Sequence, residues 1–195
     1  MAKQEVRSTH LTYEDYVQFP DDGKRHEIIE GDHYMTPAPR MKHQRISVNL
    51  ATAMASVAKQ NKLGLVFTAP CDVILSDENV VQPDLLFVST ARAAILTEDN
   101  AQGAPDLIVE ILSESSRKKD EVTKRKLYER FGVQEYWIVD PELETVKIFK
   151  LVQQKYVRAV ELSKESNDIL TTELREAPLR KRLEALWQVD VAAAA

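Results

Sequence analysis

The stretch that most constrains this chain is its most apolar run, Asp106-Leu107-Ile108-Val109-Glu110-Ile111-Leu112, which carries an acid in its interior. So short and branched a run, bounded by turn signals, reads as a central strand buried on both faces. Burying a lone carboxylate there costs several kcal/mol or forces it to keep its proton. The fold must therefore bring a partner to Glu110. Two kinds are open: a basic side chain such as Arg117 or Arg125, which would make Glu110 a satisfied core acid, or a metal ion at the edge of a cleft.

The chain repeats the opening of this run. Gln82-Pro83-Asp84-Leu85-Leu86-Phe87 precedes Ala104-Pro105-Asp106-Leu107-Ile108, so two strand-like runs each start on Pro-Asp-Leu. Side chains of one parity share a strand face, which puts Asp106, Ile108, Glu110 and Leu112 together. Yet Asp106 and Glu110 stand roughly 13 Å apart at a rise of about 3.3 Å per residue. Oxygen ligands bind Mg²⁺ or Ca²⁺ at about 2.0–2.6 Å, so those two acids cannot share one ion. Asp84 can approach Glu110 if its run neighbours 106–112, because adjacent strands lie only about 4.8 Å apart. The first Pro-Asp is thus expected to supply the functional acid, and Asp106 to be tied to local backbone.

A lysine completes the pattern. In the helical run after Glu110, residues Asp120, Lys124, Leu127, Tyr128 and Phe131 share one face by the i, i+3, i+4, i+7 spacing. Lys124 therefore lies on the stripe that faces the core, either laying its stem along apolar surface or reaching a site. Two carboxylates favour a hard cation, Mg²⁺ or Mn²⁺, which can hold a phosphate oxygen and acidify an attacking water. A lysine beside them can orient that water or offset charge growing on phosphate. Asp84 and Glu110 as metal ligands, with Lys124 assisting, suit phosphodiester hydrolysis.

Several other chemistries lack their residues. The five glycines, at 23, 31, 64, 103 and 132, form neither a dinucleotide fingerprint nor a P-loop, so no nucleotide cofactor is expected. His10, His26, His33 and His43 have no zinc spacing. With Cys71 alone no internal disulfide is possible, and the N-terminus lacks a secretory apolar core, so a reducing cytoplasm is the expected location. No segment approaches a membrane span. A net charge of −5 means that nucleic acid must be met by local basic patches. Two are available. Arg40 and His43 stand at a helix start, either solvated or touching phosphate. Arg117, Lys118 and Lys119 follow the Glu110 strand and either face water or position a DNA backbone.

Length and patterning predict one domain over 1–195, with 1–10 and 190–195 loose, and an α/β or α+β class in which a mixed sheet is flanked by helices. Thr12-Tyr13-Glu14-Asp15 predicts a capped short helix, and 26–39 a small hairpin. Residues 43–59 read as an amphipathic helix, and 64–76 and 80–89 as two strand-like runs. Beyond Gly132 the expectation is three strands and a final helix over about 176–187.

These features together resemble the PD-(D/E)XK nuclease superfamily, whose spaced acids match Asp84 and Glu110. There a lysine usually stands two residues after the Glu, where this chain has Leu112; a known variation moves it to the following helix, where Lys124 stands. More specifically, residues 11–151 are similar to the Uma-type restriction endonuclease family through HEIIEGDHYMTPAP, VVQPDLLFVS, APDLIVEILSESSRKKDEVTK and YERFGVQEYWIVDP. The resemblance implies a restriction-endonuclease-like core with an N-terminal hairpin and C-terminal strands, a homodimer, DNA as substrate, and Asp84, Glu110 and Lys124 in the active site. It adds Glu27, on the first hairpin, as a further acid. The rival expectations are a non-catalytic module on the same fold, binding nucleic acid or protein, and a structural homodimer with Glu110 simply paired in its core.

Overall fold

A computed structural model describes residues 10–166, 168–174, 177–182 and 184–187. Of the expected loose ends, 1–10 and 190–195, residues 1–9 and 190–195 lie outside them and His10 is described. Helix α1 (Tyr13–Tyr16) has its predicted box, with the Thr12 backbone N–H donating to the Asp15 carboxylate at 2.8 Å. Strands β1 (Arg25–Ile29) and β2 (Asp32–Thr36) form the predicted hairpin. Its turn residues Glu30 and Gly31 both take positive φ, which a two-residue turn needs to match strand twist. Helix α2 (Met41–Gln60) buries Ile46, Leu50, Met54 and Ala58, one per turn.

The two runs expected between 64 and 89 are four strands: β3 (Gly64–Thr68), β4 (Asp72–Ser76), β5 (Asn79–Val81) and β6 (Leu85–Ser89). Each run divides near a proline, Pro70 or Pro83, whose nitrogen has no hydrogen to give a ladder. The halves then enter different sheets. After β7 (Asn100–Gln102) comes β8 (Leu107–Ile111), the run with the internal acid. A π-helical turn over Lys119–Lys124 leads into α3 (Arg125–Phe131), which stops at Gly132 with φ 80°. Strands β9 (Glu135–Asp140), β10 (Thr145–Val152) and β11 (Lys155–Ser163) follow as expected.

The predicted final helix is mostly absent. Strands β12 (Ile169–Leu174) and β13 (Ala177–Arg182) pair antiparallel, and among the described residues of this segment only α4 (Glu184–Trp187) is helical. Six paired positions with a neighbouring strand outweigh the helix preference of a lysine- and arginine-containing segment.

The six-stranded sheet runs β11-β10-β9-β8-β6-β3 and is mixed, because β8 and β9 are parallel while its other pairs are antiparallel. A second mixed sheet runs β2-β1-β5-β4-β7. On one face of the six-stranded sheet, Val109, Ile111, Trp137 and Val139 pack against the buried stripe of α2. On the other, Ile108, Leu112, Tyr136 and Ile138 meet Leu127 and Tyr128 of α3 and Val73 and Val81 of the second sheet. Glu110 shares the parity of Ile108 and so faces this second layer. Among the described residues no helix is long and apolar enough to cross a membrane.

Candidate active site

Strand β6 neighbours β8 antiparallel, with Leu85 opposite Val109. One step further along that register puts Asp84 opposite Glu110, the approach across the sheet that the sequence left conditional. Both are buried, at 4% and 3% exposure. Asp106 sits at the far end of the same strand pair and accepts the Ser89 backbone N–H at 2.8 Å.

Glu110 receives two donors on one oxygen: Lys124 Nζ and the Tyr128 hydroxyl each donate to Oε1 at 2.8 Å. Arg117 instead pairs with Asp140, and the Arg125 guanidinium lies over the Phe149 ring, so neither neutralises Glu110. Lys124 is itself buried, and its Nζ lies 2.6 Å from Glu27 Oε1 and 3.9 Å from Asp120 Oδ1. Glu27, on β1, also takes Lys119 Nζ at 2.7 Å and the Gln82 backbone N–H at 3.0 Å. The π-turn thus delivers two lysines to one carboxylate.

Electrostatics separate these acids. Burial raises the proton affinity of Glu110 above the carboxylate range; Lys124 opposes this, but Asp120, Asp84 and Glu27 add to it. Burial acts the same way on Glu27, yet Lys124 and Lys119 outweigh it and hold that carboxyl below its ordinary value. Asp84 is likewise held low against its burial, by His43, Arg25 and the Ile111 N–H. Arg25 Nη1 donates to Oδ1 at 2.7 Å, while His43 Nε2 lies 3.1 Å and the Ile111 nitrogen 2.8 Å from Oδ2. Asp120 is pushed upward by burial, and its Oδ1 has no hydrogen-bond partner among the described residues.

These groups floor a cleft of about 750 Å³. Its walls include Arg25, Thr36, Arg40, Lys42, Gln82 and Arg117. Arg40 is exposed at the mouth, whereas Lys118 is exposed and does not line the cleft. Lys119 lines it with Nζ engaged by Glu27, and His43 with Nε2 engaged by Asp84, while His43 Nδ1 is buried with no hydrogen-bond partner among the described residues. Among the described residues no three His, Cys, Asp or Glu side chains converge as a ready metal cage. Lys124 stands between Glu27 and Glu110. The donor set nevertheless suits a hard cation that keeps part of its water shell. Asp84 and Glu110 face each other across one strand spacing, and Glu110 Oε2 accepts no hydrogen bond among the described residues.

Sequence reasoning passed over Arg25, although period two places it on the face of Glu27. It also passed over Gln82, whose Oε1 is buried without a partner among the described residues, and Tyr128, which it read only as a stripe residue. The first had a usable signal. So did Tyr128, one turn after Lys124 on the same stripe and 18 residues from Glu110, whereas Gln82 depends on contacts such as that with Tyr16, 66 residues away.

A family model described as "Putative restriction endonuclease", Uma2, matches residues 13–179. A crystal structure described as a "putative nuclease belonging to DUF820" from Anabaena variabilis aligns over 91% of this chain and 97% of its own, at a TM-score of 0.75 and 21% identity. That likeness shows a shared fold. None of the curated proteins matches the chain.

Proposed function

The chain belongs to the Uma2 family, and from that premise we propose that it is a divalent-metal-dependent nuclease hydrolysing phosphodiester bonds in DNA. The observation that carries this reading is the meeting of Asp84, Glu110 and Lys124 on the floor of one cleft, with Lys124 Nζ 2.8 Å from Glu110. Asp84 and Glu110 would hold Mg²⁺ or Mn²⁺. When bound, that ion would withdraw charge from a phosphate oxygen and make a coordinated water easier to deprotonate.

The protein's own groups do the remaining work. Hydrolysis adds water to phosphorus, breaks one P–O ester bond and returns a proton to the departing oxygen. Lys124, kept charged by Glu27 and Glu110, offers N–H donors to the attacking water or to the phosphate oxygens as their charge grows. Glu27 positions Lys124, and the Gln82 N–H fixes Glu27 in turn. Arg40, Lys42 and Arg117 on the cleft wall would hold flanking phosphates, which gives register on a strand without reading its bases.

The test is cleavage of supercoiled plasmid with Mg²⁺ or Mn²⁺ by wild type, Asp84→Asn and Glu110→Gln, alongside Mn²⁺ calorimetry on all three. Cutting and Mn²⁺ uptake by wild type alone support the assignment; undiminished cutting by either variant refutes it. One observation favours the rival, a binding module: both oxygens of Asp84 are engaged by the chain's own groups. A module would bind DNA, leave it uncut, and keep its affinity in Asp84→Asn.

A further inference from the structure

The engaged state of Asp84 admits a second account, which rests on the metal-dependent reading. Arg25 is the first residue of β1 and is 18% exposed in its side chain, against 5% for Asp84. Only its Nη1 makes a hydrogen bond among the described residues, so the rest of the guanidinium fork is unspent on a wall of the cleft. A guanidinium matches phosphate with two parallel N–H donors.

The charges around it are nearly balanced. Glu27, Asp84, Glu110 and Asp120 form the acidic floor, and Arg25, Lys119 and Lys124 are paired into it, with His43 a fourth cation when protonated. A dication entering this buried, already compensated cluster would leave it with a net positive charge, and uncompensated charge is costly where water is scarce. Balance returns if a resident cation moves off the floor and an anion arrives. Lys124 is fully enclosed and bound by several acids; Arg25 holds one acid by one nitrogen, at the cleft wall.

We infer that Arg25 is a displaceable counter-ion: it holds Asp84 while the chain is free of metal, and passes to a phosphodiester of the substrate when the metal takes Asp84. It acts as a switch residue for the site and not as a metal ligand. Two consequences distinguish this role from simple support of the β1 edge. Removing Arg25 should tighten metal binding in the absence of substrate, and phosphodiester should tighten it in wild type, since each ligand promotes the state the other needs.

The experiment is Mn²⁺ calorimetry on wild type and Arg25→Gln, with and without saturating dimethyl phosphate as an uncleaved diester probe, at matched melting midpoints. The expected result is about 5-fold or tighter Mn²⁺ binding by Arg25→Gln without the probe. The gain from dimethyl phosphate should be large in wild type and small in the variant. Equal or weaker Mn²⁺ binding by Arg25→Gln overturns the inference. Should that variant melt early, the guanidinium resonance of Arg25 in wild type decides the matter: it shifts on adding Mg²⁺ if the Asp84 pair opens, and a resonance unmoved at saturation overturns the switch. Wild type that takes up no Mn²⁺ with or without the probe removes the metal reading itself, and this inference with it.

Discussion

The two ends of the β6–β8 strand pair carry the same local device. At one, Asp84 accepts the Ile111 N–H at 2.8 Å; at the other, Asp106 accepts the Ser89 N–H at 2.8 Å. Both acids follow a proline and precede a leucine, and the antiparallel register relates the two ends almost by a two-fold axis. Their surroundings differ. Asp84 opens onto Arg25 from β1, His43 from α2 and Glu110 with its lysine, and Asp106 onto the close of β6. Pro-Asp-Leu thus encodes a strand-end cap, and the second sheet and the π-turn make one of the two caps into a candidate site.

Four measurements would sharpen or break that contrast. The largest effect is expected at the charged end. Lys124→Met leaves Glu27 and Glu110 without their shared cation and should cost about 3 kcal/mol in urea unfolding. An unfolding curve unchanged from wild type would show that the buried charges hold nothing in place. Next, Asp84→Asn should slow cleavage about 100-fold or more, roughly 2.7 kcal/mol in barrier, while Asp106→Asn cuts as wild type does. Equal losses in the two variants would erase the distinction between the ends. In stability, Asp106→Asn should cost about 1 kcal/mol by weakening a charge-assisted bond to the Ser89 N–H.

The smallest effect is expected at a third strand-end acid. Asp140 closes β9 by accepting the Glu142 and Leu143 N–H groups and pairing with Arg117. Burial tends to raise its proton affinity, but Arg117 and those N–H donors hold it below the ordinary aspartate value. Its stabilisation should therefore be complete above the unfolded pKa of about 3.9 and fade as pH falls through the lower folded value. Urea midpoints of wild type and Asp140→Asn, followed downward from about pH 5, should converge. A gap that persists in acid would assign the effect to packing.

Much of this arrangement was legible in the chain because it depends on short-range rules. Period two put Glu110 on the face of Ile108, helical spacing turned Lys124 inward, and positive-φ turn chemistry closed the Glu30-Gly31 hairpin. Arg25 meeting Asp84 was not legible, since it joins residues 59 apart and requires two sheets to be stacked correctly. The division of 64–76 and 80–89 into four strands had a signal, Pro70 and Pro83, that the apolar pattern overrode. The β12–β13 hairpin was missed because strand pairing is settled by a neighbour, and the segment's own composition favours a helix.

The π-turn over Lys119–Lys124 makes the spacing of the lysines as consequential as their chemistry. In an α-helix, residues five apart point about 140° away from one another. The wider i→i+5 turn brings both lysines to Glu27, at 2.7 and 2.6 Å. Such a turn behaves as one extra residue accommodated within a helix, so deleting Thr123 would restore ordinary winding while sparing every charged group in the cleft. The lysines, then four apart and about 40° around an α-helix, would still share the face toward Glu27, so the extra residue and the wide turn are two halves of one arrangement. For this family of sequences, the length of the segment between Glu110 and Leu127 is therefore a character to align on, alongside the identity of its residues.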